Sequence, residues 1–170
     1  MACMLSTMQE VPFSVARILE FGTTAHANTK CTTWRASGAE ETTFAEIGAR
    51  AAAFAHALHS DLGIDGDQRV STLLYNCAEH IEVMFAVAAK GAVFNPLNVQ
   101  LMVDQIAYVV NHSESEVIVA DPRLAEKLGA ILRATARTVG QSRKIVPSFS
   151  ARRGSATMTS DSEWLTTYAI

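Results

Sequence analysis

The clearest hydrophobic pattern in the chain is helical and lies between residues 43 and 62. Thr43 and Glu46 stand three residues apart at its start, the spacing of a capping box, in which hydroxyl and carboxylate each accept a free backbone N–H. Gly63 supplies a left-handed stop at its end. A helix is therefore predicted on the apolar positions that recur at helical spacing, Phe44, Ile47, Ala51, Phe54, Ala55 and Leu58.

Strands and helices then alternate. After a turn at "GIDGDQ", the segments with a strand or helix pattern are, in order, RVSTLL (strand), CAEHIEVMFAVAAK (helix, ended by Gly91), AVFN (strand), VDQIAYVVNH (helix, with Ile106, Val109 and Val110 facing inward), SEVIVA (strand), and a helix through Leu132 that Asp121 caps with Pro122 at its first position. Such alternation implies right-handed crossovers. The predicted fold class is α/β, with a mainly parallel sheet flanked by helices.

Two further elements are predicted before the long helix. "VPFSVARILEFG" has the pattern of a short helix, with Ser14 as N-cap and Gly22 as its stop. "KCTTWRASGAEETTF" alternates small β-forming residues around a Ser-Gly turn. This alternation predicts a small N-terminal β-hairpin.

The pattern weakens after about residue 136. Residues 138–170 are rich in Ser, Thr and Arg, and only "KIV" has a weak strand pattern. We therefore divide the chain into a patterned part, residues 1–137, and a poorly patterned tail, residues 138–170. A disordered segment and the product of a disrupted reading frame both remain open for the tail.

Composition and charge narrow the function classes. Hydrophobic residues make up 49% and charged residues 18% of the 170 residues, and the net charge is −3. A negative net charge gives no bulk electrostatic attraction to nucleic acid or to an anionic membrane, and the sequence has no nucleic-acid-binding motif. Nucleic acid is therefore not expected as a partner. The most apolar window is interrupted by Lys90 and Gly91, which argues against an integral membrane protein. Three scattered cysteines, Cys3, Cys31 and Cys77, and the absence of a signal-peptide pattern predict a cytoplasmic protein.

Two pairs of potential metal ligands occur. Cys77 and His80 have the spacing of half a zinc site, but a second half at suitable spacing is missing. A small buried side chain is the favoured interpretation of Cys77. His56 and His59 lie one turn apart on the long helix, and no carboxylate stands one turn away, so we expect them to face solvent.

Three polar segments resemble ligand-binding loops only in part. "GIDGDQRV" lacks the further carboxylates of a calcium loop and precedes a strand, whereas a phosphate loop follows one. "RRGSATMTS" has one glycine and no lysine, so it is interpreted as a solvated Ser/Thr stretch. In "KGAVFNPLN", Asn95 suits a turn and Asn98 the cap of the next helix, and Pro96 ends the strand.

The order of these elements resembles the N-terminal region of the adenylate-forming acyl-CoA synthetases, in particular the long- and medium-chain fatty-acid–CoA ligases. The resemblance covers roughly Met4 to Leu132. The segments that carry it are "TFAEI", "GDQRV" entering a strand, "N" followed by "EH" opening a helix, "GAVFNPLN", and "YVVNHSES" before "VIVAD". It implies that the α/β fold is a partial N-terminal subdomain of the synthetase fold.

The resemblance also implies a reaction for the intact protein: ATP-dependent activation of a fatty acid to an acyl-adenylate, then transfer to coenzyme A, with magnesium. The Ser/Thr/Gly-rich phosphate loop with its lysine, the later acidic motifs and the C-terminal lysine domain of the family have no counterpart here. No catalytic, cofactor-binding or metal-binding residue can therefore be carried over to this chain. Fatty acid, ATP and CoA are expected partners of the intact enzyme only.

Three hypotheses follow. The first is an inactive N-terminal part of a fatty-acid–CoA ligase, whether a natural truncation, a frameshift product or an excised piece. The second is a non-catalytic module that forms a homodimer or pairs with a full-length ligase, since an uncovered sheet would leave apolar surface exposed. The third, an independent nucleotide-binding domain, ranks last because "STLLYNCAEH" has no glycine after the first strand.

Overall fold

A computed structural model of the chain describes Pro12 and residues 14–136 and 144–147. Two sheets and five α-helices are present in these residues. The elements are, in order, α1 (Val15–Ala25), β1 (Lys30–Arg35), β2 (Gly38–Thr43), α2 (Phe44–Ser60), β3 (Arg69–Leu73), α3 (Ala78–Ala89), β4 (Val93–Pro96), α4 (Val103–His112), β5 (Val117–Ala120), a 3₁₀ turn (Pro122–Leu124), α5 (Ala125–Ala136) and β6 (Lys144–Pro147). None of the described helices is long and apolar enough to cross a membrane.

The larger sheet has four strands in the order β4-β3-β5-β6, and every pair in it is parallel. β1 and β2 form a separate antiparallel hairpin. The predicted fold class, a parallel sheet flanked by helices with a small hairpin, is therefore confirmed. The weak strand predicted at "KIV" is also present, as β6 at one edge of the sheet. The remainder of the predicted tail lies outside the described residues.

The sheet separates two apolar clusters because its central strands are buried on both faces. All four residues of β5 are buried, and they alternate between the clusters. Val117 and Val119 pack with α2 and α3, whereas Ile118 and Ala120 pack with α4 and α5. We call these the α2–α3 face and the α4–α5 face. A short, continuous run of β-branched residues is the expected sequence of such a doubly covered strand.

The start of α2 is the capping box that the sequence predicts. The Thr43 hydroxyl accepts from the Glu46 N–H (3.3 Å), and the Glu46 carboxylate accepts from the Thr43 N–H (2.8 Å). The helix ends at Ser60, two residues before the predicted end, and Gly63 follows in the left-handed region with φ +65°. The prediction for this helix is otherwise confirmed.

Gly22 does not stop α1, and this part of the prediction is wrong. The helix continues to Ala25, and Gly22 is its buried residue. A Cβ at Gly22 would lie 2.9 Å from Cδ1 of Phe44. The glycine therefore serves the close approach of α1 to the start of α2, which spacing along the sequence does not reveal.

Asn98 does not cap α4, whose N-cap is Met102. The Asn98 carboxamide oxygen instead accepts from the Gln100 N–H (2.9 Å), which makes a local turn. Lys127 of α5 holds the same loop by donating to the carbonyls of Val99 and Leu101, both at 2.6 Å. The loop after β4 is thus a connection, as predicted, with a different role for its second asparagine.

Candidate functional site

A pocket of about 370 Å³ opens between the hairpin, α3 and β4. It lies on the α2–α3 face, beside the loop that leaves the carboxyl end of β3. Ligands of open α/β sheets bind near the carboxyl ends of strands, and the volume is within the range of small-molecule sites. We call it the hairpin pocket. Its lining residues are Cys31, Thr32 and Thr33 of β1, Asn76 and Cys77 of the loop after β3, His80, Ile81 and Met84 of α3, and Phe94 of β4.

The hairpin is attached to α3 through the N-terminus of that helix. Cys77 is the N-cap and makes no side-chain capping bond. The free N–H of Ala78 instead donates to the Thr33 hydroxyl (3.0 Å), which is buried on β1. A threonine from a distant strand therefore satisfies a donor that a capping residue usually satisfies. This bond fixes the hairpin as one wall of the pocket.

His80 is held in the pocket wall by hydrogen bonds and by a ring contact. Its Nε2 lies 2.9 Å from the Thr72 hydroxyl of β3, and its ring centroid lies 5.6 Å from that of Phe94, at 54°. Burial lowers the pKa of His80 despite a hydrogen bond to the Tyr75 backbone. The imidazole is therefore neutral at neutral pH and forms an aromatic corner with Phe94.

Cys77 lies in the same pocket with a protonated thiol. Burial, together with a hydrogen bond to the nearby Glu79 side chain, raises its pKa to about 12. A thiol of that pKa is a poor nucleophile and a poor metal ligand at neutral pH, because both roles need the thiolate. In the parts of the chain that the structure describes, no three His, Cys, Asp or Glu side chains come together as a metal site would need.

The second histidine pair lies away from the pocket. His56 and His59 are exposed on α2, as the sequence predicts. The Nδ1 of His59 is in hydrogen-bonding contact with the carboxylate of Asp65 in the following turn. In that turn, the Gln68 carboxamide oxygen accepts from the N–H groups of Asp65 (3.1 Å) and Gly66 (2.8 Å). The turn is a self-contained connection, as its sequence indicates.

α3 also carries two buried carboxylates, Glu79 and Glu82, which no sequence pattern singles out. Glu79 pairs with Arg35 of β1 (2.5 Å), and Glu82 pairs with Arg50 of α2 (3.0 Å). Both carboxylates are only 2% exposed. Desolvation raises the pKa of Glu82 to about 7 even though Arg50 opposes the shift. The two pairs attach α3 to the hairpin and to α2.

Asn95 has a role that its sequence context does not show. It lies in β4, directly opposite Ser71 of β3, and its amide donates to the hydroxyls of Ser71 (2.9 Å) and Ser113 (3.1 Å). Ser71 and Ser115 are buried and lie 2.6 Å apart through their hydroxyls. The asparagine therefore belongs to a buried polar cluster of the sheet. Only the register of β3 against β4 and β5 reveals this cluster.

A third group of polar side chains lies where β3 and β5 end. The guanidinium of Arg123 lies 4.8 Å from the centroid of the Tyr75 ring and pairs with the Asp121 carboxylate (2.6 Å). Asp121 also accepts from the Arg123 N–H (2.8 Å), which confirms the predicted cap with Pro122 at the first position. Its charge is thus satisfied within the turn.

A comparison with protein families matches residues 22–166 to the family described as AMP-binding enzyme. Among curated proteins, a long-chain-fatty-acid–CoA ligase of Thermus thermophilus is 40% identical over 90 residues, which is 53% of this chain and 16% of that protein. A medium-chain-fatty-acid–CoA ligase of Ectopseudomonas oleovorans is 29% identical over 133 residues, 75% of this chain and 24% of that protein.

Solved structures of CoA ligases are also similar to this chain. One described as a long-chain-fatty-acid CoA ligase from Rhodopseudomonas palustris has a TM-score of 0.65 and 28% identity, covering 79% of this chain and 32% of that one. A benzoate CoA ligase from Burkholderia xenovorans has a TM-score of 0.65 at 21% identity, over 80% of this chain and 26% of that one, a likeness of fold. The chain spans between 16% and 24% of the length of the two curated relatives above.

Proposed function

The chain belongs to the AMP-binding enzyme family, and from this premise we propose that it is the N-terminal part of a fatty-acid–CoA ligase. The observation that carries the proposal is the family match over residues 22–166. The similarity to ligases named for long- and medium-chain fatty acids supports fatty acids as the substrate class of the whole protein. We further propose that the whole protein is cytoplasmic.

In the proposed reaction of the whole protein, a carboxylate oxygen of the fatty acid attacks the α-phosphorus of ATP, and pyrophosphate leaves. The thiol of coenzyme A then attacks the acyl carbon of the adenylate, AMP leaves, and a thioester forms. Both steps require groups that stabilise charge on phosphate oxygens, such as backbone N–H groups, lysine and magnesium.

The described residues do not fit a site for the triphosphate or for magnesium. Glu79, Glu82 and Asp121 each pair with an arginine, and no three His, Cys, Asp or Glu side chains of the described residues come together as a metal site would need. Residues 152–160, the Ser/Thr stretch "RRGSATMTS", have one glycine and no lysine. The 170-residue chain by itself therefore forms no acyl-adenylate in our proposal, and its contribution is the scaffold of the large domain.

A second candidate function is a non-catalytic module that pairs with itself or with a full-length ligase. Large apolar side chains on the surface favour it: Trp34 is 81%, Met102 75% and Tyr108 66% exposed. Aromatic and methionine side chains are enriched in protein–protein interfaces. Co-purification of the chain with a full-length ligase would support the module. A monomer that binds no ligase would contradict it.

The nucleotide sequence downstream of the Ile170 codon, translated in all three frames, is the first test of the main proposal. We expect it to encode a Ser/Thr/Gly-rich loop with a lysine. The protein that includes this loop should release AMP from ATP only when both a fatty acid and coenzyme A are present. A downstream sequence without such a loop in any frame, or a whole protein without this activity, would contradict the proposal.

A further inference from the structure

The hairpin pocket has an apolar side and a polar side. Ile81 and Met84 of α3 and Phe94 of β4 form the apolar side, where Phe94 meets the His80 ring. The edges and faces of such a tilted ring pair favour contact with a further aromatic ring, and a methionine beside it adapts to the shape of a ligand. The apolar side is therefore suited to a flat aromatic group.

Asn76 provides the polar side. Its side chain is exposed at the rim of the pocket and makes no hydrogen bond to any residue that the structure describes. A carboxamide can both donate and accept, so it can bind a hydroxyl or an amide group of a ligand.

The pocket is uncharged at neutral pH. None of its lining residues is Asp, Glu, Lys or Arg. Burial lowers the pKa of His80 and raises the pKa of Cys77 to about 12, so both are neutral. Arg35 and Glu79, the charged groups that influence the Cys77 thiol, form an ion pair with each other. A charged ligand would therefore lose its hydration without gaining a partner of opposite charge.

We propose that the hairpin pocket binds a small uncharged aromatic ligand that carries one hydroxyl or amide group. The aromatic ring occupies the corner between His80 and Phe94, and the polar group bonds to Asn76. This inference goes beyond the proposed function, because the acid and the nucleotide of the proposed ligase reaction are anions whereas the ligand proposed here is neutral. The chain itself thus has a ligand site, whatever the whole protein catalyses.

Two probes of similar size and different charge test the proposal on the 170-residue chain. 2-Naphthol is neutral at pH 7, whereas 2-naphthoate is an anion. In an NMR titration, we expect 2-naphthol to shift the Met84 methyl and His80 Cε1 signals in a saturable way. We expect 2-naphthoate to bind at least about tenfold more weakly, since it must leave its charge unpaired. Equal binding of both probes, or shifts spread over the exposed apolar residues, would overturn the proposal.

Substitutions locate the binding. Cys31→Phe adds an aromatic ring inside the pocket and should abolish 2-naphthol binding, whereas Lys30→Phe adds the same ring on the outer side of β1 and should leave the binding unchanged.

Asn76→Leu alters only the exposed rim of the pocket, so it tests the proposal even if C31F does not fold. We expect N76L to weaken binding about threefold to tenfold, the contribution of one hydrogen bond. Unchanged affinity in N76L would show that the carboxamide does not bind the ligand.

Discussion

The α4–α5 face of the sheet is closed by aliphatic side chains, whereas the α2–α3 face combines an aliphatic cluster with two buried carboxylates and an open pocket. On the first face, Ile106 and Ile131 are fully buried against Ile118. On the second, Glu79 and Glu82 reach arginines of the hairpin and of α2. The α4–α5 face is stabilised by apolar packing, whereas the α2–α3 face is stabilised by apolar packing and by ion pairs between its elements. The chain's potential for specific recognition therefore lies on the second face.

Truncating a side chain on the closed face should have the largest effect on stability. Ile131→Ala leaves a cavity in a fully buried site, so we expect it to lower the free energy of unfolding by about 2–5 kcal/mol in urea titrations. Met84→Ala, its counterpart on the pocket side, removes a half-buried side chain beside an existing space. The loss in M84A should be clearly smaller. An equal loss in both variants would show that the pocket wall is packed as closely as the opposite face.

The buried carboxylate Glu82 should make the α2–α3 face sensitive to pH. Its folded-state pKa of about 7 lies above the ordinary glutamate value of 4.5, so the folded state binds this proton more tightly. The stability that it contributes is complete below pH 4.5 and is lost as the pH rises through 7. The loss amounts to about 3 kcal/mol at most.

Glu82→Gln isolates this effect from the other carboxylates. We expect the free energy of unfolding of the wild type to fall relative to E82Q between pH 4.5 and pH 8, measured in urea at several pH values. Ile131→Ala should show no such dependence relative to the wild type. A constant difference between wild type and E82Q over this range would contradict the raised pKa.

The two asparagines around Pro96 should differ in the same experiment. Asn95→Leu removes the donor that joins the hydroxyls of the buried Ser71 and the half-buried Ser113, and we expect a loss of about 1–3 kcal/mol because these acceptors lose a partner. Asn98→Ala removes an exposed local turn bond, and its effect should stay within about 0.5 kcal/mol. Similar losses would show that the cluster around Asn95 is not a stabilising network.

Effects of about 1 kcal/mol or less are expected at the N-caps of one helix on each face. Thr43→Ala breaks the capping box of α2 and should lower the free energy of unfolding by about 1 kcal/mol. Met102→Ser introduces a capping hydroxyl at α4, where Gln105 already accepts from the N–H of residue 102 (3.1 Å). It should raise the free energy of unfolding by about 0.5–1 kcal/mol. A destabilised M102S would show that the exposed methionine packs against its surroundings.

Much of the fold could be predicted from local patterns. The capping box of α2, the hairpin and the alternation of strands and helices each depend on residues that are close in sequence. Such features can be identified without knowing the tertiary structure. The stop predicted at Gly22 is wrong for the same reason. Its role is a contact with Phe44, 22 positions away, and a lone glycine in sequence resembles a helix stop.

The candidate site could be predicted only in part. Their residue types single out Cys77 and His80, yet their neutral state follows from burial in the folded chain, which their spacing does not reveal. The partners of Glu79 and Glu82 are 44 and 32 residues distant, and Asn95 lies 24 residues from Ser71. Ion pairs and polar clusters between residues so far apart have no characteristic spacing in the sequence. They arise only when the strand order and the helix packing bring the residues together.

Fatty-acid-dependent exchange of labelled pyrophosphate into ATP tests the central claim most directly. The assay should be run side by side on the purified 170-residue chain and on the protein extended by the downstream sequence that encodes the phosphate loop. We predict exchange by the extended protein and none by the 170-residue chain, because adenylation needs groups outside it. Exchange by the 170-residue chain that depends on a fatty acid would contradict the account.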